Sequence, residues 1–421
     1  MSTPKLRFRE FNANWSLSSL GKMTTYFKGY AFKSESYKDS GIRVIRVSDL
    51  GRESIKTDND SIYIEANNAS AYENWIIKKD DIIITTVGSK PHLVDSAVGR
   101  PIYVKNNNEG LLNQNLLVLR PIDETVDSYF IYAQLLDKKY LTHIELIQRG
   151  NANQSNITVK DLQDFETYIT SKKEQTKIAS FLSNVDEKIS QLTQKHALLS
   201  QYKQGMMQKL FSQQIRFKAD DGSEFGEWEF IKLNQLGKSY NGLTSKTKDD
   251  FGNGDAYVTY KQIFDNRKIN LQKIDKVNIQ PHETQNRVIK GDLFFTTSSE
   301  IPEEVAYCSA ILDDFDYPLY LNSFCFGFRP NNQNQLNSNY ASFFFRSNQF
   351  RNTILHLAQG STRFNISKTA FMDMKIALPR VEEQTKIANF LSAIDQKIEV
   401  VAQQIEQAKT WKKGLLQQMF V

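Results

Sequence analysis

Two stretches of the chain place apolar residues at alternating spacings of four and three, which is the period of a coiled-coil helix. The first seam consists of Ile178, Leu182, Val185, Ile189, Leu192, Leu199, Met206 and Leu210, and the second of Ile387, Leu391, Ile394, Ile398, Val401, Ile405, Leu415 and Met419. Neither seam can be buried alone. The pattern therefore predicts two long helices that pack on each other as one intramolecular coiled coil, with two separate core helices as the alternative.

The two helical stretches are copies of each other. Residues 174–189 (EQTKIASFLSNVDEKI) return at 383–398 (EQTKIANFLSAIDQKI), with twelve of sixteen positions identical and an offset of 209 residues. A lysine interrupts each seam at the same place, Lys203 in one copy and Lys412 in the other, and we expect this polar break to fix the register. Asp186 and Asp395 are interpreted as solvated helix charges.

The stretches before the two helices also repeat, more weakly but in the same order. The matching segments are DIIITT at 81–86 and DLFFTT at 292–297, NQNLLVLRP at 113–121 and NSFCFGFRP at 322–330, and segments that start with glycine at 150–157 and 360–366. Short apolar runs after charged turns predict buried strands. The sequence thus predicts a mixed α/β (α+β) chain with a globular domain at 1–170, a helix at 171–212, a second domain at 213–378 and a second helix at 379–421.

Composition narrows the class of protein. The 421 residues include 53 Lys and Arg against 48 Asp and Glu, a net charge of +5 that permits an anionic partner without requiring one. Only Cys308 and Cys325 are present, as expected for a reducing compartment. No apolar run is long enough to cross a membrane. We therefore expect a cytoplasmic protein that is not exported and has no membrane partner.

Enzyme motifs are missing from the sequence. It contains no Pro-Pro dipeptide, which the substrate-binding turn of a DNA amino-methyltransferase requires, and neither a Rossmann glycine cradle nor a Walker-type phosphate loop. The five histidines show no metal-ligand spacing. We expect no catalytic residue, no metal site and no cofactor in this chain.

Several motifs together resemble the DNA-specificity subunit of Type I restriction-modification systems. They are GYAFKS at 29–34, GIRVIRVSDL at 41–50, the closing segments at 150–157 and 360–366, and the doubled EQTKIA. The resemblance implies two target recognition domains joined by two long antiparallel helices. It also implies a non-catalytic reader of a bipartite, asymmetric site in double-stranded DNA.

The same resemblance implies the partners. They are two methyltransferase subunits and restriction or translocase subunits, and these partners carry S-adenosylmethionine, ATP and Mg. The alternative function is a coiled-coil adaptor that does not bind DNA sequence-specifically.

Candidate DNA contacts are polar side chains that could read base edges or hold phosphates. The polar loops before the helices contribute Gln148, Arg149, Asn151, Asn153 and Gln154, and Gln359, Ser361, Thr362 and Arg363. Alternating positions on expected strands contribute Arg43, Arg46 and Ser48, and Tyr257, Thr259 and Lys261. Lys33, Lys90 and Lys246 are candidates for phosphate contacts. The alternatives are turn-forming loops, solvated strand faces and ordinary surface lysines.

Overall fold

The computed structural model describes residues 3–92, 97–151 and 154–421, without the side chains of residues 67–69 and 151. The chain divides into two compact units. The first unit comprises Met1–Thr193 with Gln403–Val421, and the second comprises Gln194–Ala402. Each unit therefore takes part of both long helices, whereas the four-part division made from the sequence follows chain order.

The first unit is built from short strands and helices. Its strands are β1 (Ser16–Ser19), β2 (Thr24–Lys28), β3 (Ile42–Ile45), β4 (Ile62–Ile64), β5 (Ile82–Thr85), β6 (Val87–Gly88), β7 (Pro101–Tyr103), β8 (Leu111–Leu112), β9 (Leu116–Pro121), β10 (Arg149–Asn151), β11 (Gln154–Asn156) and β12 (Glu166–Ile169). Its helices are α1 (Leu20–Met23), α2 (Ser128–Gln134), α3 (Lys138–Ile147) and α4 (Val159–Gln163), followed by the long α5 (Lys172–Phe211), which continues into the second unit. Short 3-10 helices lie at Ser34–Ser36, Val47–Asp49 and Ala66–Trp75.

The second unit repeats this order. Its strands are β13 (Glu229–Lys232), β14 (Gly237–Asn241), β15 (Phe251–Val258), β16 (Asp275–Val277), β17 (Leu293–Thr296), β18 (Ser298–Ser299), β19 (Cys308–Ala310), β20 (Leu319–Leu321), β21 (Cys325–Pro330), β22 (Ala358–Gln359), β23 (Phe364–Ile366) and β24 (Lys375–Leu378). Its helices are α6 (Leu233–Leu236), α7 (Tyr260–Asp265), α8 (Ser338–Phe344), α9 (Asn348–Ile354) and α10 (Lys368–Asp373), followed by the long α11 (Val381–Met419), which continues into the first unit. Its 3-10 helices are Lys248–Asp250, Pro302–Glu304 and Leu355–Leu357.

The two units share one sheet topology. Each has a four-stranded antiparallel sheet, in the order β2-β9-β5-β7 in the first unit and β14-β21-β17-β19 in the second. Three smaller sheets match in the same way: β4-β3-β8 with β16-β15-β20, β1-β12 with β13-β24, and β10-β11-β6 with β22-β23-β18. The mixed α/β fold and the internal repeat predicted from the sequence are confirmed.

The seam residues of the long helices are largely buried, and they join the core of each unit. In the first unit, Ile178 and Leu182 near the start of α5 share a core with Leu415 and Met419 near the end of α11. In the second unit, the opposite ends meet, since Leu210 shares a core with several residues from the start of α11. The two long helices are therefore antiparallel, as expected.

The polar breaks in the seam form ion pairs between the helices. Lys412 Nζ lies 2.5 Å from Asp186 in the first unit, and Lys203 Nζ lies 2.5 Å from Asp395 in the second. The Tyr129 hydroxyl also donates a hydrogen bond to Asp186. Interpreting the two aspartates as solvated charges was therefore wrong, because only packing across the helix pair shows that a lysine faces each of them.

The repeated EQTKIA motif has a clear structural role. The carboxylate of Glu174, 1% exposed, accepts two hydrogen bonds from Arg7, and Glu383, 0% exposed, accepts the same pair from Arg216. Burial raises the pKa of Glu174, but hydrogen bonds from Arg7 and Thr170 outweigh it, so that this pKa is lowered overall. Arg7 precedes β1 and Arg216 precedes β13, so each pair ties the segment before one of these strands to the start of a long helix.

The glutamine of the motif fixes a loop in each unit. The Gln175 amide oxygen accepts from the backbone N–H of Asp127, and Gln384 accepts equivalently from Asn337. Asp127 and Asn337 are the N-caps of α2 and α8. The motif therefore positions the helices that cover the four-stranded sheets.

A second ion pair, in which the carboxylate is buried and the arginine is partly exposed, stabilises each four-stranded sheet. Arg120 at the end of β9 contacts both carboxylate oxygens of Asp81 at 2.7 and 2.9 Å. Arg329 at the end of β21 contacts Asp292 in the same way, at 2.8 Å for each oxygen. These contacts explain two of the repeats in the sequence: the segments at 81–86 and 292–297 supply the aspartate, and those at 113–121 and 322–330 supply the arginine.

Candidate nucleic-acid interface

One end of the four-stranded sheet in the first unit gathers four chain segments that are distant in sequence. Tyr30, just after β2, donates its backbone N–H to Leu112 at 2.9 Å. Thr86, just after β5, donates its backbone N–H to Asn115 at 2.8 Å and accepts from Ile157 at 3.0 Å. We call residues 29–33, 86–90, 113–115, 148–151 and 154–156 the first rim.

The second unit has an equivalent set of contacts. Leu243, just after β14, donates its backbone N–H to Leu321 at 2.7 Å. Thr297, just after β17, donates to Phe324 at 3.0 Å and accepts from Ile366 at 3.1 Å. We call residues 242–246, 297–301, 322–324 and 358–366 the second rim. The two rims are thus the same structural feature carrying different side chains.

Each rim contains a hairpin made by a loop that the sequence singled out. Strands β10 and β11 pair with each other and with β6, and β22 and β23 pair with each other and with β18. Gly150 and Gly360 have φ angles of 138° and 140°. A Cβ on Gly150 would lie 2.2 Å from the backbone oxygen of Gln154, and one on Gly360 would lie 2.1 Å from that of Arg363. Only glycine fits these two positions.

The candidate residues of the first hairpin differ in how exposed they are and in whether they already bind another side chain. Gln154 is exposed. Arg149 is exposed and forms an ion pair with Asp161 at 2.8 Å, and the half-buried Gln148 accepts a hydrogen bond from the Ser155 hydroxyl at 2.7 Å. The side chain of Asn151 and the whole of Asn153 lie outside the described residues. Lys33 is exposed in the same rim and Lys90 is half-buried.

The candidate residues of the second hairpin are all exposed, namely Gln359, Ser361, Thr362 and Arg363. The Nε of Arg363 donates a hydrogen bond to the Ser298 hydroxyl at 3.2 Å. Its guanidinium carbon lies 5.8 Å from the centre of the Phe324 ring. Among the described residues, the rims therefore hold eleven of the eighteen residues proposed from the sequence, including Lys246 at the edge of the second rim.

The expectation that Arg43, Arg46 and Ser48 share one strand face is wrong. Strand β3 ends at Ile45, and a 3-10 helix begins at Val47. Arg46 contacts the buried carboxylate of Asp49 at 3.0 Å, and Arg43 lies 4.0 Å from it. The chain turns after β3 because this carboxylate also accepts the backbone N–H of Arg46. DNA binding by these residues stays a prediction and would compete with the internal ion pairs.

The corresponding expectation for Tyr257, Thr259 and Lys261 is also wrong. Strand β15 ends at Val258, and the Thr259 hydroxyl caps helix α7 by accepting from the backbone N–H of Gln262. Tyr257 is buried, and Lys261 is exposed on the helix. The chain therefore changes from strand to helix at the capping residue Thr259, so Thr259 and Lys261 do not lie on the strand with Tyr257.

Lys246 has an internal role as well. Its ammonium group, with the side chain 2% exposed, lies 2.5 Å from Glu283. Hydrogen bonds from Lys246 and Gln285 lower the pKa of Glu283 to about 2. A phosphate contact by Lys246 stays a prediction, and it would require this ion pair to open.

The sequence reasoning missed the turns at 113–115 and 322–324. Both were noticed only as the beginnings of repeated strands, although Gln114, Asn115, Ser323 and Phe324 are exposed at the sheet end. Among the residues that the structure describes, no group of three or more His, Cys, Asp and Glu side chains is arranged to hold a metal ion. None of the described helices has the length and apolar character needed to cross a membrane.

Comparison with known proteins gives concordant matches. A family model described as "Type I restriction modification DNA specificity domain" matches residues 12–201 and again residues 226–410. The putative type I restriction enzyme MjaX specificity subunit of Methanocaldococcus jannaschii is 25% identical over 349 residues, which covers 80% of this chain and 76% of that protein. The MjaVIII specificity subunit of the same organism is 23% identical over 371 residues, covering 81% and 78%.

A solved structure has the same fold. The crystal structure of the Type-I restriction-modification system S subunit from M. genitalium aligns with a TM-score of 0.61 at 17% identity. The alignment covers 100% of this chain and 99% of that chain.

Proposed function

Since the chain belongs to the family of Type I restriction modification DNA specificity proteins, we propose that each of its two units reads one half of a split DNA site. The chain is a specificity subunit of a Type I restriction-modification system. The observation that carries the proposal is the pair of rims, which have one backbone architecture and different exposed side chains. A scaffold that is duplicated while its surface diverges is suited to two different, asymmetric half-sites.

Type I specificity subunits act on DNA together with methyltransferase and restriction subunits. For this chain the proposed complement is two methyltransferase subunits and restriction or translocase subunits, with S-adenosylmethionine, ATP and Mg bound in those partners. In this assignment the chain recognises double-stranded DNA and performs no catalytic step.

A duplicated aromatic cluster supports a stoichiometry of two methyltransferase subunits. The clusters consist of Phe8, Phe181 and Trp411 in the first unit and Phe217, Phe390 and Tyr202 in the second, with ring centres between 5.7 and 6.5 Å apart. Trp411 and Tyr202 are each about half exposed. Large, half-exposed aromatic side chains are typical of the centres of protein interfaces. Two equivalent surfaces would bind two copies of one partner.

A domain exchange tests the central proposal. Residues 1–170 are replaced by the corresponding domain of another specificity subunit, the complete system is expressed, and methylated sites are mapped across the host genome. We expect one half-site to change and the other to remain, because each unit has its own core. A chimaera that alters both half-sites would contradict separate reading. Methylation of no defined motif by the unmodified system would favour the adaptor hypothesis, which family membership disfavours.

The non-catalytic role has its own test. The purified chain is incubated with DNA and labelled S-adenosylmethionine, with and without methyltransferase subunits. We expect methyl transfer only in the mixture. Methyl transfer by the chain alone, at a rate that follows its concentration through purification, would contradict this role.

A further inference from the structure

Two equivalent positions in the rims carry different chemistry. Gln154 and Arg363 each lie immediately before or at the start of the second hairpin strand, separated by the repeat offset of 209 residues. Asn115 and Phe324 are separated by the same offset, and both accept the backbone N–H of the threonine that follows the central strand. The first rim thus presents two amides where the second presents a guanidinium and a phenyl ring.

Arg363 and Phe324 form a contiguous surface. The guanidinium carbon of Arg363 lies 5.8 Å from the centre of the Phe324 ring, within the range of a cation–π contact. The hydrogen bond from Arg363 Nε to Ser298 uses one edge of the guanidinium, and no hydrogen bond or ion pair of its two terminal nitrogens is found among the described residues. The paired N–H groups of these nitrogens are the ones that can recognise a ligand bidentately.

The Phe324 ring is held on a rigid backbone. It is 58% exposed at the tip of a turn. Its backbone N–H donates to the Asn322 side chain at 2.9 Å, and its carbonyl accepts from Thr297 at 3.0 Å. Only the two side-chain torsions of Phe324 then remain to be ordered on binding, so the cost in conformational entropy is small.

The surroundings of Arg363 favour a base over a phosphate. Glu300 and Glu304 line the same open pocket as Arg363. Their carboxylates would repel a phosphate group, whereas the edge of a base carries no net charge. In the major groove, arginine binds O6 and N7 of guanine bidentately, and phenylalanine makes apolar contact with the methyl group of thymine.

We propose that Arg363 and Phe324 form one recognition element, in which the guanidinium reads a guanine and the phenyl ring contacts the methyl group of a neighbouring thymine in the half-site of the second unit. This assignment rests on the proposed function and deepens it. At the equivalent positions the first unit uses Gln154 and Asn115, whose amides match adenine instead. The two half-sites therefore differ at the bases that these positions face.

The test combines altered bases with altered side chains in the complete complex with methyltransferase subunits. Methylation mapping defines the site, and the domain exchange identifies the half-site of the second unit. Duplexes then carry one 7-deazaguanine, which lacks N7, or one uracil, which lacks the methyl group, at each guanine or thymine of that half-site in turn. Affinity is measured at one fixed salt concentration.

For the unmodified complex, we expect one 7-deazaguanine to weaken binding at least about 5-fold, and one uracil beside it to weaken binding about 3- to 4-fold. Arg363→Met keeps a long side chain but removes every N–H donor, so the complex should become insensitive to 7-deazaguanine. Phe324→Ala should remove sensitivity to uracil alone. Gln154→Ala in the first unit is the matched control, and it should leave both sensitivities in the second half-site intact.

Three results would overturn the inference. They are a second half-site without adjacent guanine and thymine, a 7-deazaguanine penalty that persists in Arg363→Met, and a uracil penalty that persists in Phe324→Ala. Both side chains are exposed, so these variants should fold, and unchanged binding of methyltransferase subunits verifies it. A failure of the proposed function is distinguishable, because the unmodified complex would then methylate no defined site.

Discussion

A half-chain of residues 1–212 contains both partners of the ion pair between the helices, and we expect it to form a symmetric dimer. In the full chain Asp186 pairs with Lys412, and Lys203 pairs with Asp395. Lys203 and Lys412 are separated by the repeat offset of 209 residues, as are Asp186 and Asp395. In a dimer of half-chains, Asp186 of each copy would therefore face Lys203 of the other. The DNA site read by such a dimer should be an inverted repeat.

The structure gives the magnitude of this contribution. Each ion pair has a separation of 2.5 Å, with side-chain exposures of 13% and 15% for one pair and 24% and 29% for the other. Hydrogen bonds to charged groups of this kind contribute about 1.5–3 kcal/mol each. A dimer contains two pairs, so their loss should cost about 3–6 kcal/mol, which corresponds to a weakening of dimerisation by a factor of about 10² to 10⁴.

Charge reversal provides the perturbation. A half-chain with Asp186→Lys would place two lysines at each contact, and one with Lys203→Asp would place two aspartates there. Neither variant should form a homodimer. Mixing the two restores an opposite charge at both contacts, so we expect a heterodimer. Sedimentation and native mass spectrometry measure the masses of the separate and mixed samples.

Circular dichroism is the control, because each variant must keep its helices for the comparison to be valid. The reasoning would be refuted by a variant that dimerises alone within about 3-fold of the unmodified half-chain. It would also be refuted by folded variants that fail to form the heterodimer when mixed. In the first case the ion pairs would not govern pairing, and in the second the seam would not pair in the register that the full chain uses.

Other predictions concern the core, the hairpin and the thiols. Glu383→Ala leaves the half-buried guanidinium of Arg216 without its ion-pair partner, so the free energy of unfolding, measured in urea, should fall by about 2–4 kcal/mol. A loss below about 1 kcal/mol would contradict a stabilising role for this ion pair. Gly360→Ala forces a side chain onto a backbone φ of 140°, which should destabilise the hairpin by about 1–3 kcal/mol and weaken binding of the second half-site. Hydrogen exchange in the hairpin and DNA affinity measure the two effects, and unchanged exchange in the hairpin would contradict the predicted strain. Burial raises the pKa of the Cys308 thiol to about 12, and burial also raises the pKa of the Cys325 thiol. Neither thiol should therefore react with a thiol reagent at pH 8 before the chain unfolds, and rapid labelling of the native chain would contradict this.

The candidate site was only partly predictable. The polar loops at 148–156 and 359–365 stand out in the sequence because turn-forming and amide residues cluster there, and the described residues of both form paired strands in the rims. The turn that carries Phe324 did not stand out, because its position at the sheet end depends on pairing with Thr297, which is 27 residues away. Arg46 and Lys246 look like free cations in the sequence, and only the folded chain shows that Asp49 and Glu283 engage them.

The sequence by itself determined the long helices, the internal repeat and the family. Helical periodicity depends only on residues that are close in sequence, so the spacing of Ile178, Leu182 and Val185 is enough to predict a helix with an apolar seam. The tertiary structure decided which residues meet: that Lys203 faces Asp395, that β3 ends where Asp49 captures Arg46, and that Arg363 lies over Phe324. These ion pairs and hydrogen bonds form only when the folded chain brings distant residues together. The pattern of residues along the sequence therefore does not identify which residues pair.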